Sequence, residues 1–468
     1  MSGSPTEQRE LTVSPTDIPG LLVLRLPVHG DNRGWFKENW QRAKMTALGL
    51  PDFGPVQHSV SYNAVRGVTR GFHAEPWDKL VSVAHGEAFG CWVDLRPGPA
   101  FGRIVTVTLD IGTSVFVPRG VGNAFQATSD DLVYSYLVND HWSPEAREHY
   151  TYVNLADETL AVDWPIPLAD AEMSAADKAH PALADVTPMA ARRTVVLGGN
   201  GQLGRALQAC MPDATFVDLP EFDLANPAIV DGFDWGSYET IINAAAYTAV
   251  DAAETPEGRS ACWASNATGV AHLARIAAER RLTLVHVSSD YVFDGTREVH
   301  AEDEPLSPLG VYGQAKAAGD LSVGTVPRHY LVRTSWVVGD GKNFVRTMAD
   351  LAARGVAPTV IADQHGRLTF TSDLARAIAH LLDSGAAYGT YNVSSSGPVQ
   401  TWASIAKRVY ELVGASPDAV TETTTQAYAV GKEMAPRPVH SALDLGKLHA
   451  TGFVPTDGDD ALRRYLGR

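Results

Sequence analysis

Cysteine is scarce in this chain of 468 residues: there are three, Cys91, Cys210 and Cys262. They stand far apart and without metal-type spacing, which excludes a disulfide framework and fits a reducing compartment. No stretch approaches the ~20 consecutive apolar residues of a membrane span. Met1–Glu10 is polar and lacks the apolar core of an export signal, so a cytoplasmic protein is expected. Basic residues are in deficit, 38 Lys and Arg against 54 Asp and Glu, for a net charge of −16. That balance argues against nucleic acid as a partner, because phosphate backbones bind basic faces. It leaves room for a phosphorylated small ligand held in a local pocket. The length exceeds what one hydrophobic core organises, so two or three domains are expected.

From Gly20 to about Trp164 the chain is a series of short strand-like runs broken by Gly, Pro, Asn and Asp. They include Leu21–Leu26, Leu80–Val83, Phe89–Leu95, Ile104–Leu109, Ser114–Val117 and Leu132–Val138. This spacing predicts an all-β sandwich or barrel. Residues 168–191 are rich in Ala, Asp and Pro and read as a tail followed by a linker, placed at 186–192. After Arg193 the pattern changes. Strand candidates Thr194–Leu197, Phe216–Asp218, Thr240–Asn243, Leu282–Ser288 and Tyr330–Thr334 alternate with helical segments such as Leu203–Cys210 and Ala261–Arg281. Such alternation predicts a parallel sheet covered on both faces.

Gly198, Gly201 and Gly204 follow the apolar run Val195–Leu197. Glycines so placed permit a tight turn, close backbone approach to a pyrophosphate and close packing of the next helix. Asp218, at the end of the presumed second strand, is placed to bind an adenosine ribose; a solvated strand-end acid is the plainer alternative. Tyr312 and Lys316, spaced i and i+4, share a helix face. A phenol is a poor acid at neutral pH, and a neighbouring ammonium is expected to lower its pKa into a useful range. Its role would be to protonate a carbonyl oxygen as hydride arrives at carbon. Ser288–Ser289–Asp290 follows an apolar strand and offers a hydroxyl to the same oxygen.

The segments Asn243–Asp251, Ser288–Gly295, Tyr312–Lys316, Arg333–Trp336, Asn343–Phe344, Asp363–Gln364 and Arg437–Pro438 resemble dTDP-4-dehydrorhamnose reductase, an extended short-chain dehydrogenase, over residues 193–468. The resemblance implies a Rossmann sheet with a small C-terminal substrate lobe. Its catalytic set would be Ser289, Tyr312 and Lys316. Gly198, Gly201, Gln202, Leu203, Asp218, Asp223, Leu224, Ala245, Ala246 and Tyr247, with Tyr312 and Lys316, would hold NADPH or NADH; Asp218 by itself disfavours a 2′-phosphate. Ser289, Asp290 and Trp336 would contact the sugar nucleotide. The regulatory subunit of methionine adenosyltransferase resembles the same family without being an enzyme, and the intact Ser289/Tyr312/Lys316 set favours catalysis.

Residues 15–185 resemble dTDP-4-dehydrorhamnose 3,5-epimerase, a cupin-type jelly roll. The matching pieces are Asp31–Glu38, Gln57, Arg70–His73, Val93–Arg96 and Trp164–Pro165. A histidine, a lysine and a tyrosine lining a β-barrel suit proton chemistry beside a carbonyl. The resemblance implies His73 as general base, Asp177 as its carboxylate partner, Lys79 as the enolate-stabilising cation and Tyr136 as the acid on the far face. Tyr134, on the same side of the strand, competes for that last role; spacing from Asn123 favours Tyr136. Arg33, Phe36, Glu38, Gln57, Arg70, Asn123 and Glu148 would hold the nucleotide sugar. Three departures stand out. Asn123 occupies the place of the family's usual histidine, the loop from His73 to Lys79 is short, and Ala176 replaces a common lysine. His73–Ala74–Glu75 lacks the His-x-His of a metal cupin, so no metal is expected.

The product of the first family is the substrate of the second. The fusion therefore implies a bifunctional enzyme, cupin domain 1–185 and reductase 193–468, that epimerises and then reduces a dTDP-linked 4-keto-6-deoxyhexose. A homodimer through the cupin domain is implied as well. The alternatives are epimerisation at a single carbon before reduction to another deoxysugar, or a non-catalytic protein that binds sugar nucleotide or NADPH.

Overall fold

The computed structural model describes residues 10–191 and 193–468; Met1–Arg9, most of the polar N-terminal stretch, and Arg192 lie outside the described residues. The chain divides into two compact units, with the boundary between Ala191 and Arg192.

The first unit is a pair of antiparallel sheets. One has six strands in the order Thr12–Pro15, Leu22–Arg25, Thr113–Val117, Lys79–His85, Leu132–Val138, Gln57–Asn63; the other has five, Thr151–Tyr152, Thr69–Ala74, Val121–Ala127, Ala88–Asp94, Ile104–Leu109. Outer strand Gln57–Asn63 alternates between half-buried and exposed residues until buried Asn63, whereas Lys79–Val83, inside the sheet, is buried throughout. Alternation is what one solvated face requires. Val81, Val115, Trp92, Phe125 and Tyr134 pack together in the buried core of the sandwich. The stretch read as a linker does not stand free. Val186 and Met189 are buried in a second core with Phe72 and Leu95, and Met189 N–H donates to Leu95 O at 2.8 Å.

The second unit is a six-stranded parallel sheet, ordered Thr215–Val217, Arg193–Leu197, Tyr238–Asn243, Thr283–Ser289, His329–Thr334, Gly389–Val393. The order reverses between Arg193–Leu197 and Tyr238–Asn243, and the crevice at such a switch point is where ligands bind. The long helix expected at Ala261–Arg281 is interrupted: Pro256–Trp263 and Val270–Glu279 are α-helical, but Ala264–Gly269 is a π-turn. The bulge turns Asn266 inward, where its carboxamide bonds both the N–H and the C=O of Tyr247 at 2.9 Å. A helical defect thus pins the loop that follows the third strand. A small lobe with its own core, built on helices Phe344–Ala353 and Trp402–Leu412 and the pair Thr359–Ile361/Thr421–Thr423, completes the unit.

Candidate active sites

In the first unit a cleft of about 680 Å³ is lined by Gln57, Arg70, His73, Glu75, Tyr136 and Asp177, with several aromatic rings. His73 stands on strand Thr69–Ala74. Asp177 sits on the short helix Ala175–Lys178, which Ser174 caps by accepting from Asp177 N–H at 3.0 Å. His73 Nε2 and Asp177 Oδ1 are 2.8 Å apart. Burial pushes the Asp177 carboxyl up, but the hydrogen bond and charge of His73 and the bond to Ser174 outweigh it and hold the carboxyl below its usual range. The carboxylate therefore stays ionised and fixes the imidazole, which is the arrangement a general base needs. Tyr136 faces the same cleft. Burial and the nearby Glu75 carboxylate raise its phenol, against Arg70 and Ser59, so it keeps its proton for donation.

Lys79 is buried and paired with Glu75 at 2.7 Å; Glu75, also bound by Trp77 Nε1 at 2.6 Å, is the member of the pair that lines the cleft. Gln57 Nε2 donates to Ser59 and its Oε1 accepts from Trp142 N–H. Tyr134 is buried, stacked on Phe125 with centroids 4.1 Å apart, and donates to Asn123 Oδ1 at 3.0 Å. That bond turns Asn123 into the sandwich, and neither residue lines the cleft. Glu148 is exposed beside a separate depression containing Arg119 and Pro181. Arg33, Phe36 and Glu38 lie on or just after the hairpin Val28–Asp31/Gly34–Lys37, with Arg33 paired to Asp31, Glu38 to Lys44, and Phe36 64% exposed. None of the three lines this chain's own cleft. The sequence reading missed Glu75, Trp77, Tyr150, Tyr152 and His180. His180 stacks on Tyr152 and comes within 3.9 Å of Asp177, and no spacing rule announces it.

In the second unit a cavity of about 820 Å³ opens at the switch point. Gly198 has φ +82°, and a Cβ there would lie 2.7 Å from Ala245 N; a Cβ at Gly204 would lie 2.2 Å from Gly198 O. Only glycine lets the turn, the third-strand loop and the helix Gln202–Cys210 approach this closely. That helix starts at Gly201 without a side-chain cap, leaving first-turn N–H groups for an anion. Asp218 lines the same cavity and accepts from Asn200 N–H at 2.7 Å. Gln202, Leu203, Asp223, Leu224, Ala245 and Ala246 line the cavity; Tyr247 does not, and acts through its backbone bonds to Asn266. This cradle fits a dinucleotide.

Tyr312 and Lys316 share helix Val311–Val323, whose first N–H is capped by Glu254 at 2.8 Å. Ser289 ends strand Thr283–Ser289; its hydroxyl donates to Asp290 at 3.0 Å and accepts from Tyr291 N–H at 3.2 Å, beside the Tyr312 phenol on the same cavity wall. Lys316 Nζ donates to Val287 O at 2.7 Å and lies 3.3 Å from Nε2 of buried His286, whose Nδ1 meets Asn243. The expected lowering of the phenol by its lysine is absent in this state. Burial raises Tyr312, the Asp290 carboxyl adds to that, and Ser289 only partly opposes it. The lysine itself is brought down to about 8 by burial, against Asp320 and Cys262. Asp290 is pushed up to about 6 by burial, against Ser441 and Ser289. Trp336 reaches the same cavity.

Residues 192–468 match the family model described as RmlD substrate binding domain, and residues 15–185 match that of dTDP-4-dehydrorhamnose 3,5-epimerase. The chain belongs to both families. A dTDP-4-dehydrorhamnose reductase of Aggregatibacter actinomycetemcomitans is 34% identical over 294 residues, 58% of this chain and 97% of that protein. A protein described as an RmlC homolog from Streptococcus pyogenes is 50% identical over 178 residues, 37% of this chain and 89% of its own length. Each relative spans one unit. The solved dTDP-4-dehydrorhamnose reductase of Bacillus anthracis, in complex with NADP, is 31% identical with a TM-score of 0.54, covering 59% of this chain and 98% of its own. The reductase-family unit is thus an α/β dehydrogenase fold, and the epimerase-family unit a cupin-like β fold.

Proposed function

We propose that the chain is a bifunctional enzyme of dTDP-L-rhamnose formation, with the epimerase in residues 1–185, the reductase in 193–468 and 186–192 joining them. Its first unit inverts C3 and C5 of dTDP-4-dehydro-6-deoxy-D-glucose. Its second reduces the C4 ketone of the resulting L-sugar. The observation that carries this reading is the presence of two complete proton-handling sets in one chain, His73 with Asp177 and Ser289 with Tyr312.

Protons beside a ketone are acidic because the resulting carbanion delocalises onto oxygen. His73, held by ionised Asp177, removes them, and Tyr136 returns a proton on the opposite face. Arg70, which lines the cleft, supplies positive charge for the diphosphate, and Lys79, behind Glu75, would stabilise the enolate on exchanging that partner for substrate. In the second unit Gly198, Gly201, Asp218 and Ala245 would hold NADPH or NADH, which supplies hydride to C4 when bound. Ser289 and Tyr312 bind the C4 oxygen, and Tyr312 gives it a proton. Lys316, fixed by its bond to Val287 O, would offer its remaining N–H groups to the nicotinamide ribose.

A homodimer through the β unit belongs to the same proposal. Arg33, Phe36 and Glu38 stand away from their own cleft on a hairpin that also exposes Trp35, so a second copy would bring them to a site. Mixing Arg33→Ala and His73→Ala proteins should then restore part of the epimerase activity. Cytosolic residence, where nucleotide sugars and reduced nicotinamide are available, is also proposed.

The test is incubation with dTDP-4-dehydro-6-deoxy-D-glucose and NADPH, with the product identified by NMR. Formation of dTDP-L-rhamnose is expected. Inversion at one carbon only would favour the second reading, a different deoxysugar, for which the changed Asn123–Tyr134 contact and a 37% identical probable 4-ketoreductase of Streptomyces antibioticus are the grounds. No NADPH oxidation at all would favour a binding protein.

A further inference from the structure

Trp336 is one of four non-glycine residues with positive φ among those described, at +45°. A bulky residue is held in that region only where its surroundings over-determine it, and such strain gathers at ligand sites. The surroundings here are specific. The indole of Trp402, the first residue of helix Trp402–Leu412, stacks on that of Trp336 with centroids 3.8 Å apart and planes at 21°. No atom fits between rings that close. Gly366 therefore covers the other face: a Cβ there would lie 2.8 Å from both Cε2 and Cζ2 of Trp336. The Trp336 ring is clamped between an indole and a bare backbone, with its edge left to the cavity that Trp402 also lines.

Trp402 is itself held. Its Nε1–H donates to Gln364 Oε1 at 3.2 Å, Gln364 Nε2 donates to Thr425 at 3.0 Å, and Phe344 packs edge-on at 4.6 Å. The chain of contacts anchors the clamp against the core of the small lobe.

We propose that Trp402 is a positioning residue for sugar recognition: with Gly366 it fixes the Trp336 indole as the wall against which the hexose of the nucleotide sugar is held. This rests on the reductase reading of the cavity. The face of a hexose carries C–H groups, and the rigid indole edge left to the cavity selects among epimers by where those groups lie. An indole free to rotate would not discriminate. Holding the wall fixed is therefore the step that turns contact into selectivity.

The test uses the reverse reaction, dTDP-L-rhamnose with NADP+, which needs the second unit alone. Trp402→Ala should raise the KM for dTDP-L-rhamnose about tenfold, the scale of one lost aromatic contact, while the KM for NADP+ changes by less than about twofold. Trp402→Phe should restore most of the sugar affinity, since a smaller ring still supports the face. Stacked indoles also give a coupled near-ultraviolet circular dichroism signal, which both variants should lose. Gly366→Ala, which pushes on the opposite face, should reproduce the sugar-specific defect and serves where Trp402→Ala does not fold. An unchanged sugar KM in the folded variants, or equal rises for sugar and nicotinamide, would overturn the proposal. Absence of turnover in the parent protein would instead sink the reductase reading and take the clamp with it.

Discussion

The two clefts handle protons in opposite ways. In the β unit the base is ready and wet: the His73 side chain is 34% exposed, and its carboxylate partner is ionised before any ligand arrives. In the α/β unit the supporting groups are dry: Lys316 is buried and His286 has no exposed surface, while Tyr312, half-buried at the cavity wall, is held as a phenol. The difference follows from the chemistry proposed for each. A base that strips carbon acids must exchange its proton with water between events, whereas water competes with a hydride acceptor for hydrogen bonds and must be kept out. The ionised carboxylate that the proposed epimerisation needs is therefore built into the fold.

The largest effects should separate the two sites cleanly. Tyr312→Phe removes the donor and should cut NADPH oxidation by about 10²–10⁴-fold while leaving deuterium wash-in from heavy water intact. His73→Ala should abolish wash-in at C3 and C5 and leave reduction of pre-epimerised substrate largely unchanged. Loss of both activities in either folded variant would break the two-site comparison. A smaller but still large effect is expected for Asp177→Asn, which keeps the contact to His73 but removes its charge: wash-in should fall by about 10²-fold or more. Unaltered wash-in would mean that the built-in carboxylate is ornamental.

The sequence carried the second site more fully than the first, for a geometric reason. Tyr312 and Lys316 are one helical turn apart, and Gly198 to Gly204 is one turn of chain, so local spacing encodes their proximity. His73 and Asp177 meet across a hundred residues of intervening strands, and only family resemblance joined them. The Trp336–Trp402 stack is silent for the same reason, whereas Glu75 and His180 are near Lys79 and Asp177 in sequence but carry no spacing that marks a site. Residues 186–191 misled because Val186 and Met189 sit in an Ala- and Pro-rich stretch without periodicity, yet two buried side chains suffice to dock it. The phenol's proton affinity was misjudged because spacing reports a neighbour's charge but not the burial of both groups. The π-turn at Ala264–Gly269 was hidden inside an apolar helical pattern.

A moderate effect should come from that turn. Asn266→Ala leaves the Tyr247 N–H and C=O without their carboxamide partner, at about 1–3 kcal/mol per unsatisfied buried group. The α/β unit should melt earlier, and the KM for NADPH should rise while deuterium wash-in stays at the parent level. A rise in the sugar KM alone would show that the loop serves the other end of the cavity.

The smallest effect concerns the dry lysine. Burial lowers Lys316 to about 8, with Asp320, Cys262 and His286 the groups that face it, whereas an unfolded lysine titrates near ~10.4. Between these values the unfolded chain binds the extra proton, so this group's contribution to stability rises as pH increases from about 8 to about 10.5. Below pH 8 the folded protein carries a buried ammonium and bears its full desolvation cost. Lys316→Met removes that dependence together with the bond to Val287 O. The melting temperature of the variant relative to the parent, measured without cofactor, should therefore be highest near pH 7 and decline steadily towards pH 10. A difference that stays flat across this range would mean that Lys316 is solvated in the free protein, and the contrast between a wet and a dry site would lose its clearest physical marker.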